Sequence, residues 1–95
     1  MPGVNRIENI KNVLGYAVKK RNGYYNQLRK IDEKSGDTIE QFKTIGLINT
    51  RHTLNSETYR ITNLGDEYYK DLFGMFDYWK QRLSGKIERF IKRHI

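Results

Sequence analysis

The segment RHTLNSETYR opens on Arg51 and closes on Arg60, with His52, Asn55 and Ser56 between them. Guanidinium groups beside amide and hydroxyl groups suit phosphate oxygens, whereas nothing here pairs a nucleophile with a base. A second set lies upstream: Lys34, Ser35, Thr38, Gln41 and Thr44. Gln can bond an adenine edge through two hydrogen bonds, Thr can touch a base or a thymine methyl, and Lys can neutralise phosphate. The carboxylates of Asp37 and Glu40 fall among these residues and would repel phosphate unless one of them accepts from cytosine. The chain has two histidines, His52 and His94, and no cysteine. A metal site needs three or four converging donors, so no metal and no cofactor are expected. No Gly-rich phosphate loop or HExxH pattern is present either, and the chain does not read as an enzyme.

Positioning the two sets requires a hairpin and a short helix. Ile48 alternates with polar Asn49, the tip LNSE suits a turn, and Tyr59 and Ile61 supply a second run of period two. A two-stranded ribbon is marginal on its own and must lean on helices, which the chain supplies on both sides. Upstream, Ile7, Ile10, Leu14 and Ala17 recur at helical spacing and predict a first helix from about Arg6 to Lys20. The cluster Lys19, Lys20 and Arg21 at its end fits either the helix dipole or a phosphate contact. Asn22 and Gly23 then read as a break that caps a second helix, whose stripe is Tyr24, Leu28 and Ile31 and whose end lies near Lys34, Ser35 and Gly36. For the third helix, Asp37 and Glu40 resemble a capping box, Ile39, Phe42 and Ile45 give one buried side, and Gly46 ends it. An earlier start, inside DEKSG, would instead place Lys34 and Ser35 on that helix.

After the hairpin, Thr62 is a good N-cap for a long helical region. Its apolar residues include Leu64, Tyr68, Leu72, Phe76, Trp79, Leu83, Ile87 and Phe90, a stripe longer than a small domain can cover. A dimer interface through Leu72, Phe76, Trp79, Leu83, Ile87 and Phe90 follows, with folding back onto the chain's own core as the alternative. Gly74 and the Ser84-Gly85 pair leave open whether the region is one rod or a bent pair. Charge divides within it, acidic through Asp66, Glu67, Asp71 and Asp77 and basic from Lys80 onward. Such a pattern could pair halves between subunits or build a second polyanion-binding face.

The chain has 95 residues, 18 Lys plus Arg and 11 Asp plus Glu, for a formal charge of +7. That allows one small domain whose field attracts polyanions, nucleic acid first among them. The polar start, MPGVNRIENIKN, does not read as a secretory signal, and no apolar run nears the roughly 20 residues of a membrane span. A cytoplasmic, nucleoid-associated location is expected, with no membrane partner.

Read together, NGYYNQLRKIDEKSG resembles the second-helix region of PadR-like winged-helix regulators. GLI with the downstream YRITNLGDEYY is similar to their wing and the helix after it, and the likeness covers roughly Gly23 to Tyr69. Between Gly36 and Ile39 the chain is shorter than that pattern, so base contacts do not transfer residue by residue. The resemblance implies a mostly α, α+β winged helix-turn-helix: residues 1–69 as the double-stranded DNA-binding part with a two-stranded wing, and 70–95 as a C-terminal helical dimerisation extension. It also implies a homodimer with the third helix in the major groove. A transcriptional regulator is the first functional expectation; a plasmid or chromosome partition protein that spreads along DNA and meets an adaptor is the second. A helical protein-interaction module is the alternative from another class.

Overall fold

The computed structural model describes residues 5–94; residues 1–4 and 95, the outer ends of the two expected segments, lie outside the described residues. The chain is α+β and mostly helical: α1 (Arg6–Lys20), β1 (Asn22–Tyr24), α2 (Tyr25–Ile31), α3 (Asp37–Ile45), β2 (Ile48–His52), β3 (Glu57–Ile61), α4 (Asn63–Phe73) and α5 (Met75–His94). The strands form one antiparallel sheet in the order β1-β3-β2. This order is compatible with a winged helix.

The first helix has the expected bounds, and its start has a clear cause: the Asn5 side chain accepts from the Glu8 backbone N–H at 2.8 Å. Val13, Leu14, Ala17 and Val18 form its buried side, while Ile7, expected on that side, is exposed. At the other end Arg21 adopts φ 70° and turns the chain into β1. Asn22 and Gly23 are therefore strand residues rather than a cap for the next helix. Gly23 faces Tyr59 across the ladder, and a Cβ there would sit 3.2 Å from the tyrosine ring and hydroxyl. Only a side chain as small as glycine's lets the two strands and that ring pack without a shift.

The second helix buries Tyr25 and Leu28 and stops at Ile31, earlier than its sequence suggests. Tyr24 lies outside it, on β1. Asp32 ends the helix because its carboxylate turns into the protein and collects donors: Asn9 Nδ2 at 2.9 Å, the Lys34 N–H at 2.8 Å and the Ile39 N–H at 3.2 Å. The last bond satisfies an orphan donor in the first turn of α3, so α3 is capped from Asp32. The expected capping box is not formed; Gly36, left-handed at φ 96°, occupies the N-cap position, and Asp37 is already helical. The earlier start inside DEKSG is not realised.

A paired turn closes α3. The Gly46 N–H donates to the Lys43 carbonyl at 3.2 Å and the Leu47 N–H to the Phe42 carbonyl at 2.8 Å, with Gly46 left-handed at φ 84°. This Schellman arrangement also brings Leu47 toward Phe42 and drops the chain into β2 with Ile48 facing the core. Ile45, expected on the buried side of α3, is exposed. After the hairpin, Thr62 caps α4 as expected, accepting from the Gly65 N–H at 3.0 Å while its hydroxyl reaches the Gly46 carbonyl at 2.6 Å. The long C-terminal region is a bent pair. Gly74, at φ 95°, separates α4 from α5, whereas Ser84 and Gly85 lie within an unbroken α5. Helix α4 runs through the expected boundary at residue 69.

One core joins these elements: Leu14 and Val18 of α1, Leu28 of α2, Ile39 and Phe42 of α3, Ile48, Tyr59 and Ile61 of the sheet, Tyr69 of α4 and Tyr78 of α5. Helix α5 lies along α1, crossing it where Gly85 meets the Lys19 carbonyl.

Candidate nucleic-acid interface

The outward side of α3 carries Asp37, Glu40, Gln41 and Thr44, all exposed. Of the two carboxylates, only Glu40 has a Lys or Arg within 4 Å among the described residues. Glu40 accepts from the Tyr25 hydroxyl at 2.6 Å and lies 3.5 Å from the Lys43 ammonium, which also stands 3.8 Å from Glu57. The Tyr25 hydroxyl is the main reason the Glu40 carboxyl titrates below its ordinary range, and burial raises the Tyr25 hydroxyl. Glu40 is thus occupied within the chain. Gln41 accepts from the Arg6 guanidinium at 3.3 Å, which places the start of α1 beside the exposed side of α3. Thr44, exposed, turns its hydroxyl onto the Glu40 carbonyl at 2.9 Å.

Thr38 does not belong to this face. It is buried, and its hydroxyl accepts from Asn9 Nδ2 at 2.9 Å, so it cannot reach a base without breaking the Asn9–Asp32 network. That network holds the Asp32 carboxyl low: burial opposes ionisation, and the bonds from Asn9, Lys34, Ile39 and Thr38 outweigh it. Lys34 and Ser35 are exposed on the turn leading into α3, where Ser35 takes φ 56°.

The β2–β3 hairpin supplies the second set. Its register pairs Arg51 with Thr58 and Asn49 with Arg60, so both arginines point to the outward face, away from Tyr59 and Ile61. His52 alternates to the other side and stands 3.9 Å from Glu57. At the tip Thr53 and Ser56 hold each other: the Thr53 N–H and hydroxyl both donate to the Ser56 carbonyl, at 2.8 and 2.9 Å. Asn55 is exposed beside them and the Ser56 side chain is partly occupied by Thr53. Arg51, Asn55 and Lys34 therefore lie in the open, His52 lies across the ribbon from Arg51, and Thr38 lies inside.

No family model matches the chain, and neither a curated protein nor a solved structure does. Chemistry and placement must carry the functional reading.

Electrostatics sharpen it. The basic cluster at the end of α1 is structural: Arg21 grips Asp66 with two bonds of 2.7 and 2.8 Å, and Lys19 and Lys20 both engage Glu88. Asp77 meets Lys11 at 2.9 Å and Glu67 meets Lys70 at 2.8 Å. Most acids of the C-terminal region are consumed within the chain, which removes the reason to pair acidic and basic halves between subunits. Among the described residues Arg6, Arg29, Lys30, Lys34, Arg51, Arg60, Lys80, Arg82, Lys86, Arg89, Lys92 and Arg93 have no carboxylate within 4 Å.

Leu72, Phe76, Trp79, Leu83, Ile87 and Phe90 are all exposed, Phe76 at 86 %. The fold-back alternative is realised only on the other side of α5, where Tyr78 and Gly85 are buried against the body of the chain. Among the described residues no group of His, Asp or Glu is placed to hold a metal ion, and no helix is long and apolar enough to cross a membrane. Sequence reasoning missed Arg6, Asn22, Tyr24 and Asn49. The last three gain meaning only through the β1–β3–β2 register, and a three-residue strand has too short a period to show itself.

Proposed function

We propose that the chain is a PadR-like winged helix-turn-helix protein that binds double-stranded DNA as a homodimer and regulates transcription. In this reading α2 and α3 are the helix-turn-helix, α3 enters the major groove, and the β2–β3 hairpin is the wing. The observation that carries it is the exposed side of α3, where Gln41 meets the Arg6 guanidinium at 3.3 Å and Thr44 follows three residues on, with Lys34 on the turn before the helix and Arg51 exposed on the hairpin after it. Neutral groups with bidentate capacity suit base edges, and peripheral cations suit the backbone on either side.

A duplex titration at several salt concentrations tests this. Log affinity should fall linearly with log salt, Arg51→Ala should reduce the slope by about 0.9, and Gln41→Ala should narrow the gap between sequences while leaving the slope alone. Absence of duplex binding at low salt would overturn the reading. Dimerisation is proposed through the apolar side of α5 with Leu72 of α4. Sedimentation should give a dimer for the wild type and a monomer for Trp79→Glu with Leu83→Glu; a wild-type monomer across the micromolar range removes the dimer. A footprint that lengthens with protein concentration beyond one palindrome would replace regulation by partition and call for an adaptor partner.

A further inference from the structure

The outward face of the sheet carries groups that duplex binding uses only in part. The register aligns Asn22, Arg60 and Asn49 in one row across β1, β3 and β2, and Tyr24, Thr58 and Arg51 in the next. Alternation turns all six to the same side. They line an open groove of about 810 Å³.

Three features of this face point to one kind of ligand. Arg51 and Arg60 occupy diagonal positions on paired strands, about 7–8 Å apart by sheet geometry, and among the described residues neither has a carboxylate within 4 Å. Both guanidinium groups are on one face and within reach of a single anion, which can accept hydrogen bonds from both. Beside them Tyr24 stands 58 % exposed, although its neighbour Tyr25 already fills the core position. The amides of Asn22 and Asn49 flank Arg60 with donors and acceptors for a base edge.

We propose that this face binds single-stranded DNA, with a base stacked on the Tyr24 ring and a backbone phosphate between Arg51 and Arg60. Exposed aromatics among cations are the composition of a single-strand platform, because every base offers a π-face and the backbone supplies the charge. A duplex keeps its bases stacked inside and has no use for Tyr24. An acidic peptide could satisfy the arginines, yet it brings no planar partner for the tyrosine. The choice of DNA over RNA rests on the duplex-binding reading, which makes DNA the nucleic acid this chain meets.

Fluorescence anisotropy of the full chain with labelled oligo(dT), oligo(rU), polyglutamate and a duplex tests this, with circular dichroism confirming the fold of each variant. Tyr24→Ala should weaken oligo(dT) binding by about tenfold, Tyr24→Phe should restore it, and duplex affinity should not change. Arg60→Ala should lower the oligo(dT) salt slope by about 0.7. An unchanged oligo(dT) affinity in Tyr24→Ala, an equal loss on the duplex, or tighter binding of polyglutamate overturns the proposal; equal binding of oligo(rU) overturns its restriction to DNA. A wild type that binds duplex but not oligo(dT) removes this inference alone. One that binds oligo(dT) in a Tyr24-dependent way but not duplex keeps the stacking site and removes the winged-helix regulator.

Discussion

Replacing Gly85 with alanine sets two effects of opposite sign against each other. In the interior of a helix such as α5, alanine is favoured over glycine by about 1 kcal/mol, so local propensity predicts a gain. The crossing of α5 with α1 predicts a loss. A Cβ at Gly85 would lie 2.0 Å from the Lys19 carbonyl oxygen and 3.0 Å from its carbon, both backbone atoms that no rotamer change can move. The helices must part by roughly 1 Å or more before that contact stops being repulsive. Parting them stretches the bond from Arg89 to the Lys19 carbonyl, now 2.9 Å, which satisfies one of the carbonyls that the last turn of α1 leaves without an intrahelical partner. It also loosens the hold of Lys19 and Lys20 on Glu88. Overpacking and a weakened charged hydrogen bond arise from one displacement and together cost about 3 kcal/mol, which leaves a net loss of about 2 kcal/mol. For a domain of this size that corresponds to a melting temperature lower by roughly 10 °C. Equilibrium urea unfolding at matched protein concentration measures it, with Ser84→Ala as the control that changes propensity at an exposed neighbour. A Gly85→Ala chain as stable as the wild type, or more so, would refute the close crossing and with it the placement of the exposed apolar side of α5.

Glu88 is held down to about 2 by hydrogen bonds from Lys20 and Lys19, below its ordinary 4.5. A depressed folded-state value means that the stabilisation is complete above about pH 4.5 and is lost as the pH falls toward 2. Glu88→Gln should therefore melt below the wild type at neutral pH, with the gap closing in that acid window; a gap independent of pH contradicts the pairing. Asp32→Ala should cost on the order of 3 kcal/mol in urea unfolding, because it strands the Ile39 and Lys34 N–H groups and part of the Asn9 amide; a cost under 1 kcal/mol would mean that water replaces the carboxylate. Arg21→Ala should cost about 2–3 kcal/mol by leaving the nearly buried Asp66 carboxylate without its two-bond partner, and Asp66→Asn in the same background should recover part of the loss.

Some elements were legible because their signal is local. Helix α1 announces itself through its apolar period, and the hairpin through alternation on either side of LNSE. Thr62 is a cap whose partner is three residues away. Other features depend on contacts that no short window contains. β1 exists because Arg60, Tyr59 and Thr58 offer it a ladder, far along the chain from Asn22. The cap of α3 comes from Asp32 rather than the adjacent Asp37, since Asn9 of α1 helps draw that carboxylate inward, and the same amide takes Thr38 out of the exposed set. Gly74 and Gly85 look alike in the helical pattern, yet one takes φ 95° and ends a helix while the other admits a neighbouring backbone. What lies opposite each glycine decides its role.

The same kind of non-local contact sets the charge on the outward side of α3. Taken along the chain, Asp37 and Glu40 make the outward side of α3 acidic. In three dimensions Glu40 is tied to the Tyr25 hydroxyl and neighbours Lys43, and Lys43 also caps the approach of Glu57 from the hairpin. Lys43 of α3 and the Tyr25 hydroxyl of α2 answer the Glu40 carboxylate, while Asp37 is exposed and, among the described residues, has no Lys or Arg within 4 Å. On that side Gln41 accepts from Arg6 at the start of α1 and Thr44 donates to the Glu40 carbonyl, while Lys34 stands exposed on the turn before α3 and Arg51 on the hairpin after it. Under the proposed DNA binding, positioning on the backbone and discrimination between bases draw on different groups, cations for the first and neutral side chains such as Gln41 for the second. No stretch of the sequence carries both parts; α1, the turn, α3 and the hairpin assemble them only when Leu14, Ile39, Ile48 and Tyr59 close the core.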